Sequence, residues 1–358
     1  MTVVRVAVAG ASGYTGAELV RLLAQHPRVT LTAVTSEKSA GASVAAVFPH
    51  LGNAVRLTFE ALAPEALSKR ADVVFLALPH TKSMDAVAAC LSAGIKVIDL
   101  SADYRLKDPG AFEHWYQTPH SRPDLLKQAV YGLPELHRAA IAQAQVVASP
   151  GCYPTAAILQ LAPLVARGLV IPDSIVIDAK SGISGAGRSP ALPYHFPEAH
   201  ESLEPYKIGI HRHIPEIEQE LNQLNARDLP ERAPSGPARL TIAFTPHLVP
   251  MNRGILSTAY CRLEAPQDLS SLRALYRDFY KNEPFVRILD EAMPNPRYVR
   301  GSNFCDLAVH QDARAGWVVT VAALDNLVKG AAGQAIHAMN LMLGYPEETG
   351  LTAPGAYP

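Results

Sequence analysis

The chain has 358 residues, of which 48% are apolar and 18% charged, and its formal net charge at pH 7 is -1. These values predict a globular protein with two domains and exclude a strongly basic nucleic-acid binder or a membrane-surface protein. No apolar run reaches the roughly 18 residues of a membrane span, and the first residues lack the basic flank and cleavage site of a signal peptide. We therefore expect a cytoplasmic protein that acts on small molecules.

Strand-like and helical segments alternate from Val3 to about Val147. The strand-like segments are VVRVAVAG, VTLTAVT, DVVFLALP and KVIDLS, and the helical ones include AELVRLLAQH and MDAVAACLSAG. Short apolar strands separated by amphipathic helices are typical of βαβ units and of a parallel sheet covered on both faces. Residues 1–150 are therefore predicted to form a Rossmann-like, doubly wound α/β domain.

A glycine-rich loop, GASGYTG, joins the first strand to the first helix. A dinucleotide fold places backbone N–H groups and a helix N-terminus against a pyrophosphate at this point. The spacing is GxxGxxG, so the flanking strand and helix, more than the motif itself, favour nucleotide binding over an ordinary turn. The predicted contact residues in this loop are Gly10, Ala11, Ser12, Gly13, Tyr14, Thr15 and Gly16.

The choice of dinucleotide depends on the segment that follows the second strand. An NAD site often has an acidic residue there, whereas this chain has Thr35, Ser36 and Lys38. Hydroxyl groups and a lysine suit a ribose 2'-phosphate, so NADP (NADPH) is favoured over NAD, the alternative being a solvated loop lysine. Leu78 and Pro79, at the end of DVVFLALP, are predicted to contact the nicotinamide half.

One of the four cysteines has an unusual setting. Cys90, Cys261 and Cys305 lie in apolar segments, whereas Cys152 follows a Pro-Gly turn and precedes a helix predicted over residues 155–167. Pro154 fits the first turn of that helix, which places Cys152 at or next to the N-cap. The helix dipole and free amides stabilise a thiolate there, so a nucleophile is favoured over a cysteine that only packs. No cysteine spacing indicates a metal site.

A nucleophilic thiol needs a partner for its proton. The segment KIGIHRHIPEIEQEL presents His211 and His213 just before a helix predicted to begin near Pro215. Alternate residues of an extended segment share a face, so both imidazoles are candidates, and the spacing does not separate them. An HxH pair by itself is more often a surface pair or part of a metal site, but no third ligand stands at local spacing.

Residues 151–325 are predicted to form an α+β catalytic and oligomerisation domain. After the two predicted helices, the segments ARLTIAFTPHLV, GILSTAYCRLE, VRIL, CDLAVHQD and GWVVTVAALD suggest a mixed or antiparallel sheet. Residues 225–238 are predicted to be a surface loop of this domain. A last helix at about 330–343, within residues 326–358, is predicted to complete the first domain.

Two arginines in predicted loops are candidates for substrate binding. Arg105 in DLSADYRL and Arg188 in SGAGRSP follow strand-like runs, where a guanidinium can bind a carboxylate or phosphate through two hydrogen bonds. The alternative for both is a solvated loop arginine. The flexible segment KSGISGAG, with Ser181 and Gly182, is predicted to close on the cofactor or substrate.

Eight motifs occur in order along the chain: GASGYTG, FLALPH, DLSADYRL, YGLPEL, SPGCYPTAA, SGISGAGR, HRHIPEI and DNLVKGAAGQA. On these motifs the chain closely resembles, over essentially its whole length, the N-acetyl-gamma-glutamyl-phosphate reductase family, which is semialdehyde dehydrogenase-like and serves arginine biosynthesis. SPGCYPTAA followed by HRHIPEI is the specific combination, whereas the glycine loop is shared with many dinucleotide enzymes.

The resemblance implies NADPH-dependent reduction of N-acetyl-glutamyl 5-phosphate to the 5-semialdehyde and phosphate through a Cys152 thioester. It also implies His211 as the acid–base partner, His213 among the substrate-binding residues, Asn326 at the nicotinamide pocket, and a homodimer or homotetramer. Alternative substrates are aspartyl phosphate and a carrier-bound aminoadipyl or glutamyl phosphate. A nucleotide-sensing regulatory protein with the same fold would lack the nucleophile, and this chain retains the cysteine and both histidines.

Overall fold

The computed structural model describes residues 3–61, 64–227 and 238–357. The chain divides into two compact units. The first runs to Gly151 and includes Ala331–Ala353, and the second comprises Cys152–Gly330 and the residues from Pro354 onward. The predicted loop at 225–238 lies mostly outside the described residues. Residues 326–330 and those after Ala353, which the sequence analysis assigned to the first domain, are in the second unit.

The first unit is built on a parallel sheet with strand order β3-β2-β1-β4-β5-β7-β6. Its central strand, β4, is apolar and fully buried, and its neighbours β1 and β5 are buried over most of their length, as expected when helices cover both faces of such a sheet. The strands are β1 Val4–Ala9, β2 Val29–Thr35, β3 Phe59–Glu60, β4 Val73–Leu76, β5 Lys96–Asp99, β6 Val130–Tyr131 and β7 Val146–Ala148.

The helices of the first unit are α1 Tyr14–Leu23, α2 Val44–Val47, α3 Met84–Ser92, α4 Pro109–Tyr116 and α5 Pro134–Gln143. α1 is amphipathic and buries Leu19, Val20 and Leu23. α4 begins where the side chain of Asp108 accepts a hydrogen bond from Gly110 N–H, with Pro109 as its first residue. The predicted doubly wound fold is confirmed.

The second unit contains a mixed sheet with strand order β12-β13-β14-β11-β8-β10-β9. Two of its pairs, β10 with β8 and β12 with β13, are parallel, and the others are antiparallel, as the sequence predicts. The strands are β8 Ile175–Gly182, β9 Glu204–Pro205, β10 Ile242–Val249, β11 Ile255–Cys261, β12 Val286–Ile288, β13 Cys305–Asp312 and β14 Trp317–Leu324.

The helices of the second unit are α6 Cys152–Ala166, α7 Phe196–Ala199, α8 Ile214–Arg227, α9 Leu269–Phe279 and α10 Pro296–Val299. α6 packs against α8, β11 and β14 and is buried from Tyr153 to Ala166. Its sequence is mostly apolar around the whole circumference, which is typical of a helix that lies within a core. A π-helical turn, Val328–Ala332, precedes the last helix, α11 Gly333–Met342. α11 belongs to the first unit and packs there against α5 and α1.

Candidate active site

The glycine loop of the first unit owes its shape to close backbone contacts. Gly10 has a φ of 79°, and a Cβ there would lie 2.3 Å from the carbonyl oxygen of Ala77, after β4. A Cβ at Gly16 would lie 2.5 Å from the carbonyl oxygen of Gly10. Only glycine fits either position. α1 begins directly after Gly13, which has no side chain to cap its first N–H groups, so the loop has the shape and polarity that suit a pyrophosphate.

A hydroxyl pair joins this loop to the end of β2. The Oγ atoms of Ser12 and Ser36 are 2.7 Å apart, and Ser36 Oγ also accepts a hydrogen bond from the backbone N–H of Ser39. Lys38 is exposed beside them. The segment predicted to read the ribose therefore adjoins the phosphate loop. Of the remaining predicted contacts, Ala11 is buried, Thr15 is half-buried and Tyr14 is exposed.

The loop after β4 holds the other predicted cofactor contacts. Leu78 is half-buried and Pro79 is exposed. The carboxylate of Asp103 accepts hydrogen bonds from the backbone N–H groups of Thr81 and Ser83, at 2.7 and 2.9 Å. Thr81 has a φ of 69°, in the left-handed region, and this pair of bonds offsets the strain. Asp103 is thus a loop-shaping residue that the sequence analysis did not identify.

The two predicted substrate arginines have different surroundings. Arg105 is 5% exposed, and its guanidinium donates from Nε to the carbonyl oxygen of Ser149 and from Nη2 to that of Leu100. It therefore holds the backbone that leads into the Pro-Gly turn before Cys152. Arg188 is exposed in the segment after β8. A substrate role for either arginine remains a prediction.

Cys152 is the first residue of α6, three residues before the predicted helix start. It is partly exposed, whereas the other three cysteines are buried. Its sulfur therefore lies at the N-terminus of a helix of 15 residues, where the helix dipole favours an anion. Gly330 lies against it, and a Cβ on Gly330 would be 2.8 Å from the Cβ of Cys152.

His211 lies in an aromatic cluster of the second unit. The rings of Tyr153, Tyr206 and Phe244 surround the imidazole, with centroid distances of 5.4 to 5.8 Å. Burial lowers the pKa of His211 to about 4, and the positive charges of Lys207 and Arg212 contribute to the shift. The imidazole is therefore neutral at pH 7.

A backbone contact fixes the tautomer of this imidazole. The N–H of His213 donates to Nδ1 of His211 at 3.1 Å, and a backbone N–H can only donate. In the neutral ring the proton is therefore on Nε2 of His211, which is a hydrogen-bond donor. His213 is half-buried, with its ring centroid 4.7 Å from that of His211 and 6.0 Å from that of Tyr153.

The two tyrosines of this cluster form a hydroxyl pair. Tyr206 donates to Tyr153 Oη at 3.4 Å, and Tyr153 donates to the carbonyl oxygen of His247 at 3.1 Å. Burial raises the pKa of both phenols, that of Tyr206 to about 12. The structure thus brings the residue after Cys152 next to both predicted histidines. Tyr206 and Phe244 were not predicted from the sequence because neither stands in a motif.

Ser181, Gly182 and Asn326 meet at the end of β8. A Cβ on Gly182 would lie 2.7 Å from the carbonyl oxygen of Asn252, and Ser181 is buried. The side chain of Asn326 accepts a hydrogen bond from Gly254 N–H at 2.7 Å and donates to Ser184 Oγ at 3.0 Å. Asn326 thereby fastens two loops, and its predicted contact with the nicotinamide remains untested.

Comparison with known families agrees with this fold. Residues 5–144 match the family model for the NAD-binding domain of semialdehyde dehydrogenases, and residues 152–326 match the model for their dimerisation domain. The chain belongs to the semialdehyde dehydrogenase family and is an oxidoreductase. The predicted nicotinamide dinucleotide as cofactor is thereby confirmed.

Curated relatives that match nearly the whole chain share one enzyme name. The chain is 51% identical over 356 residues to the N-acetyl-gamma-glutamyl-phosphate reductase of Desulforudis audaxviator (strain MP104C), covering 99% of this chain and 100% of that protein. It is 52% identical to the reductase of the same name from Geotalea daltonii (strain DSM 22248 / JCM 15807 / FRC-32), covering 99% of each. The resemblance drawn from the motifs is confirmed.

Solved structures share the fold at lower identity. Aspartate semialdehyde dehydrogenase II from Vibrio cholerae superposes with a TM-score of 0.72 and 17% identity, covering 96% of this chain and 99% of that one. Aspartate semialdehyde dehydrogenase with NADP from Candida albicans gives 0.70 and 18%, with the same coverage. Among the described residues, no helix is long and apolar enough to cross a membrane, and no cluster of three metal-ligating side chains occurs.

Proposed function

We propose that this chain is an NADPH-dependent N-acetyl-gamma-glutamyl-phosphate reductase. It would reduce N-acetyl-glutamyl 5-phosphate to N-acetyl-glutamate 5-semialdehyde and release phosphate. The observation that carries this proposal is the identity of about half of all residues, over nearly the full length, to enzymes of that name. Aspartyl phosphate is a weaker candidate substrate because the aspartate semialdehyde dehydrogenases are only 14 to 19% identical.

Cys152 is the proposed nucleophile. Its sulfur attacks the acyl carbon of the substrate, the bond to phosphate breaks, and the proton of the thiol leaves with the phosphate, giving a thioester on Cys152. The position at the start of α6 supports this role, because the first-turn N–H groups stabilise both the thiolate and an oxyanion on the attacked carbon.

His211 is the proposed proton partner, with a defined donor atom. Because Nδ1 accepts from the backbone, Nε2–H is the group that can donate to the oxygen that becomes negative when the sulfur attacks. The low pKa of the buried ring keeps it in this neutral form across the neutral pH range. Since His211 acts as a donor in this form, the thiol proton that leaves with the phosphate passes through another group, and His213 on the same segment is the candidate to test.

The glycine loop supports binding of NADPH. Gly10 and Gly16 pack closely against backbone and so set the path of the loop that would meet a pyrophosphate, and Ser36 and Lys38 stand where a 2'-phosphate would be recognised. When bound, NADPH supplies the hydride that converts the thioester to the aldehyde level. Cys152 is then released as a thiolate with the aldehyde, and it takes a proton from solvent before the next cycle.

The substrate assignment is tested in the reverse direction. Purified protein is mixed with NADP, phosphate and either N-acetylglutamate semialdehyde or aspartate semialdehyde, and NADPH formation is followed. We expect phosphate-dependent turnover with the acetylated substrate and at least a hundredfold lower kcat/KM with aspartate semialdehyde, on the order of 3 kcal/mol. Equal rates, or a preference for aspartate semialdehyde, would contradict the assignment.

We further propose a cytoplasmic homodimer or homotetramer. The match of residues 152–326 to a dimerisation domain supports self-association, as do the exposed side chains of Leu192, Phe196, Leu203, Ile208 and Ile210. Light scattering on the purified protein measures its mass directly. A mass of about one chain at micromolar concentration would contradict this proposal.

A further inference from the structure

The segment Asp325–Gly330, which we name the 325–330 turn, lies against the nucleophile. It follows β14 and reaches Cys152 through Gly330, whose missing side chain leaves room for the cysteine. A Cβ on Gly330 would lie 2.8 Å from the Cβ of Cys152 and 3.3 Å from its Cα. These distances are too short for a methyl group, so the path of this turn determines where Cys152 is held.

Asp325 builds the turn. Its side chain is fully buried, and Oδ1 accepts hydrogen bonds from the backbone N–H groups of Leu327 and Val328, at 2.8 and 3.2 Å. Its backbone carbonyl oxygen accepts from Gly330 N–H at 2.9 Å. The residue that begins the turn therefore also fixes the glycine that closes it.

The second carboxylate oxygen ties the turn to neighbouring loops. Asp325 Oδ2 accepts from the backbone N–H of Gly301 at 2.7 Å and lies 3.5 Å from Nη1 of Arg253. A carboxylate has acceptors on both sides, and here both are used. An amide would have only one acceptor oxygen and would place an NH₂ group against the N–H groups on the other side.

We propose that Asp325 and Gly330 are positioning residues for Cys152, holding its sulfur at the N-terminus of α6 through the 325–330 turn. Neither is a catalytic residue, since Asp325 acts through the backbone and Gly330 through its lack of a side chain. The expected effect on turnover rests on the proposed nucleophilic role of Cys152. The expected effect on the reactivity of the thiol does not depend on that role.

The test is the pH dependence of alkylation by iodoacetamide, which reads the thiolate directly. Cys152 is the one partly exposed cysteine among the described residues, so it is the target, and Cys152→Ser gives the background. We expect Asp325→Asn and Gly330→Ala each to move the midpoint upward by about one pH unit, because a displaced sulfur loses part of the helix N-terminus. In turnover, kcat should fall on the order of tenfold or more with little change in KM.

The matched control is Asp306→Asn on β13. Asp306 is also a buried aspartate of the second unit, but its carboxylate pairs with Arg287 instead of the 325–330 turn. Its alkylation midpoint should stay at the wild-type value. Gly330→Ala keeps the test decisive if Asp325→Asn does not fold. Unchanged midpoints in the folded variants would overturn the inference, whereas full turnover by Cys152→Ser would instead overturn the nucleophile assignment.

Discussion

The glycine loop of the first unit and the aromatic cluster around His211 in the second unit are built in different ways. The loop is a local piece of backbone, in which Gly10 and Gly16 make close contacts that no side chain permits. The cluster gathers side chains from α6, β10 and the segment before α8, and the 325–330 turn contacts the neighbouring Cys152. Substitutions in the loop should therefore alter cofactor binding, whereas those in the cluster should alter the chemistry.

Replacing the proposed nucleophile gives the largest expected separation of these two functions. Cys152→Ser should reduce turnover to background, because a serine hydroxyl remains protonated where a thiol forms the thiolate. The dissociation constant for NADPH, followed by fluorescence titration, should stay within about twofold, a change of roughly 0.4 kcal/mol. Retained turnover would show that Cys152 is not the nucleophile.

The control for this variant is another cysteine of the same unit. Cys261 is buried on β11, and burial raises its pKa to about 12, so its thiol is inert at neutral pH. Cys261→Ser should keep wild-type kcat once folded. A loss of turnover there equal to that of Cys152→Ser would point to general damage by serine substitution.

Two glycines of the same loop test the cofactor side of the comparison. In Gly10→Ala, the new methyl group meets Ala77 and the residue keeps a positive φ, so we expect a loss of about 2 to 4 kcal/mol in stability together with weaker NADPH binding. Gly13 has a φ of -78°, and a Cβ there has its nearest contact at 3.8 Å. Gly13→Ala should thus keep the melting temperature and weaken only NADPH binding.

The readouts are the melting temperature and the NADPH titration, with Cys152 alkylation as a check on the second unit. Both glycine variants should alkylate at the wild-type rate. If Gly13→Ala binds NADPH as well as wild type does, the loop does not meet the pyrophosphate at that residue. If Gly10→Ala is as stable as wild type, the close contact with Ala77 is not a real constraint.

The pH dependence of stability tests the burial of His211. Its pKa is about 4 in the folded protein and near 6.5 when exposed, so the unfolded chain takes up a proton first as the pH falls. The free energy of unfolding should therefore drop between pH 6.5 and 4, by at most roughly 3 kcal/mol from this group. His211→Asn should remove this part of the pH dependence. The control His195→Asn, at an exposed histidine, should leave the pH dependence unchanged.

The quantity to measure is the difference in the free energy of unfolding between variant and wild type, obtained by urea unfolding at several pH values. Asp99 acts with the opposite sign in the same range, because burial and the nearby charge of Asp103 raise its pKa to about 6. This contribution is common to both proteins and cancels in the difference. A difference that does not change with pH would mean that His211 titrates as an exposed histidine does.

Much of this contrast could be predicted from the sequence. Strands β1, β2, β4 and β5, the glycine loop and the start of α6 near Cys152 follow from local patterns of apolar residues, glycine and proline, whereas the short strands β3, β6 and β7 were not predicted. α9 was not predicted, although Asp268 caps it by accepting from Ser271 N–H and its apolar residues, such as Leu272 and Tyr276, recur at helical spacing. The aromatic residues around His211 and the packing of Gly330 on Cys152 depend on segments far apart in the chain, which local patterns cannot bring together.

The smallest expected effect concerns the choice between NADP and NAD. Lys38 is exposed, and a surface charge facing a 2'-phosphate is worth about 1 kcal/mol, so Lys38→Ala should weaken NADP binding about fivefold and leave NAD binding unchanged. Lys127→Ala, at another exposed lysine of the first unit, should change neither. Because the lysine acts through charge, the effect on NADP should shrink in high salt. An equal loss for both dinucleotides would instead place Lys38 at a part of the cofactor that the two share.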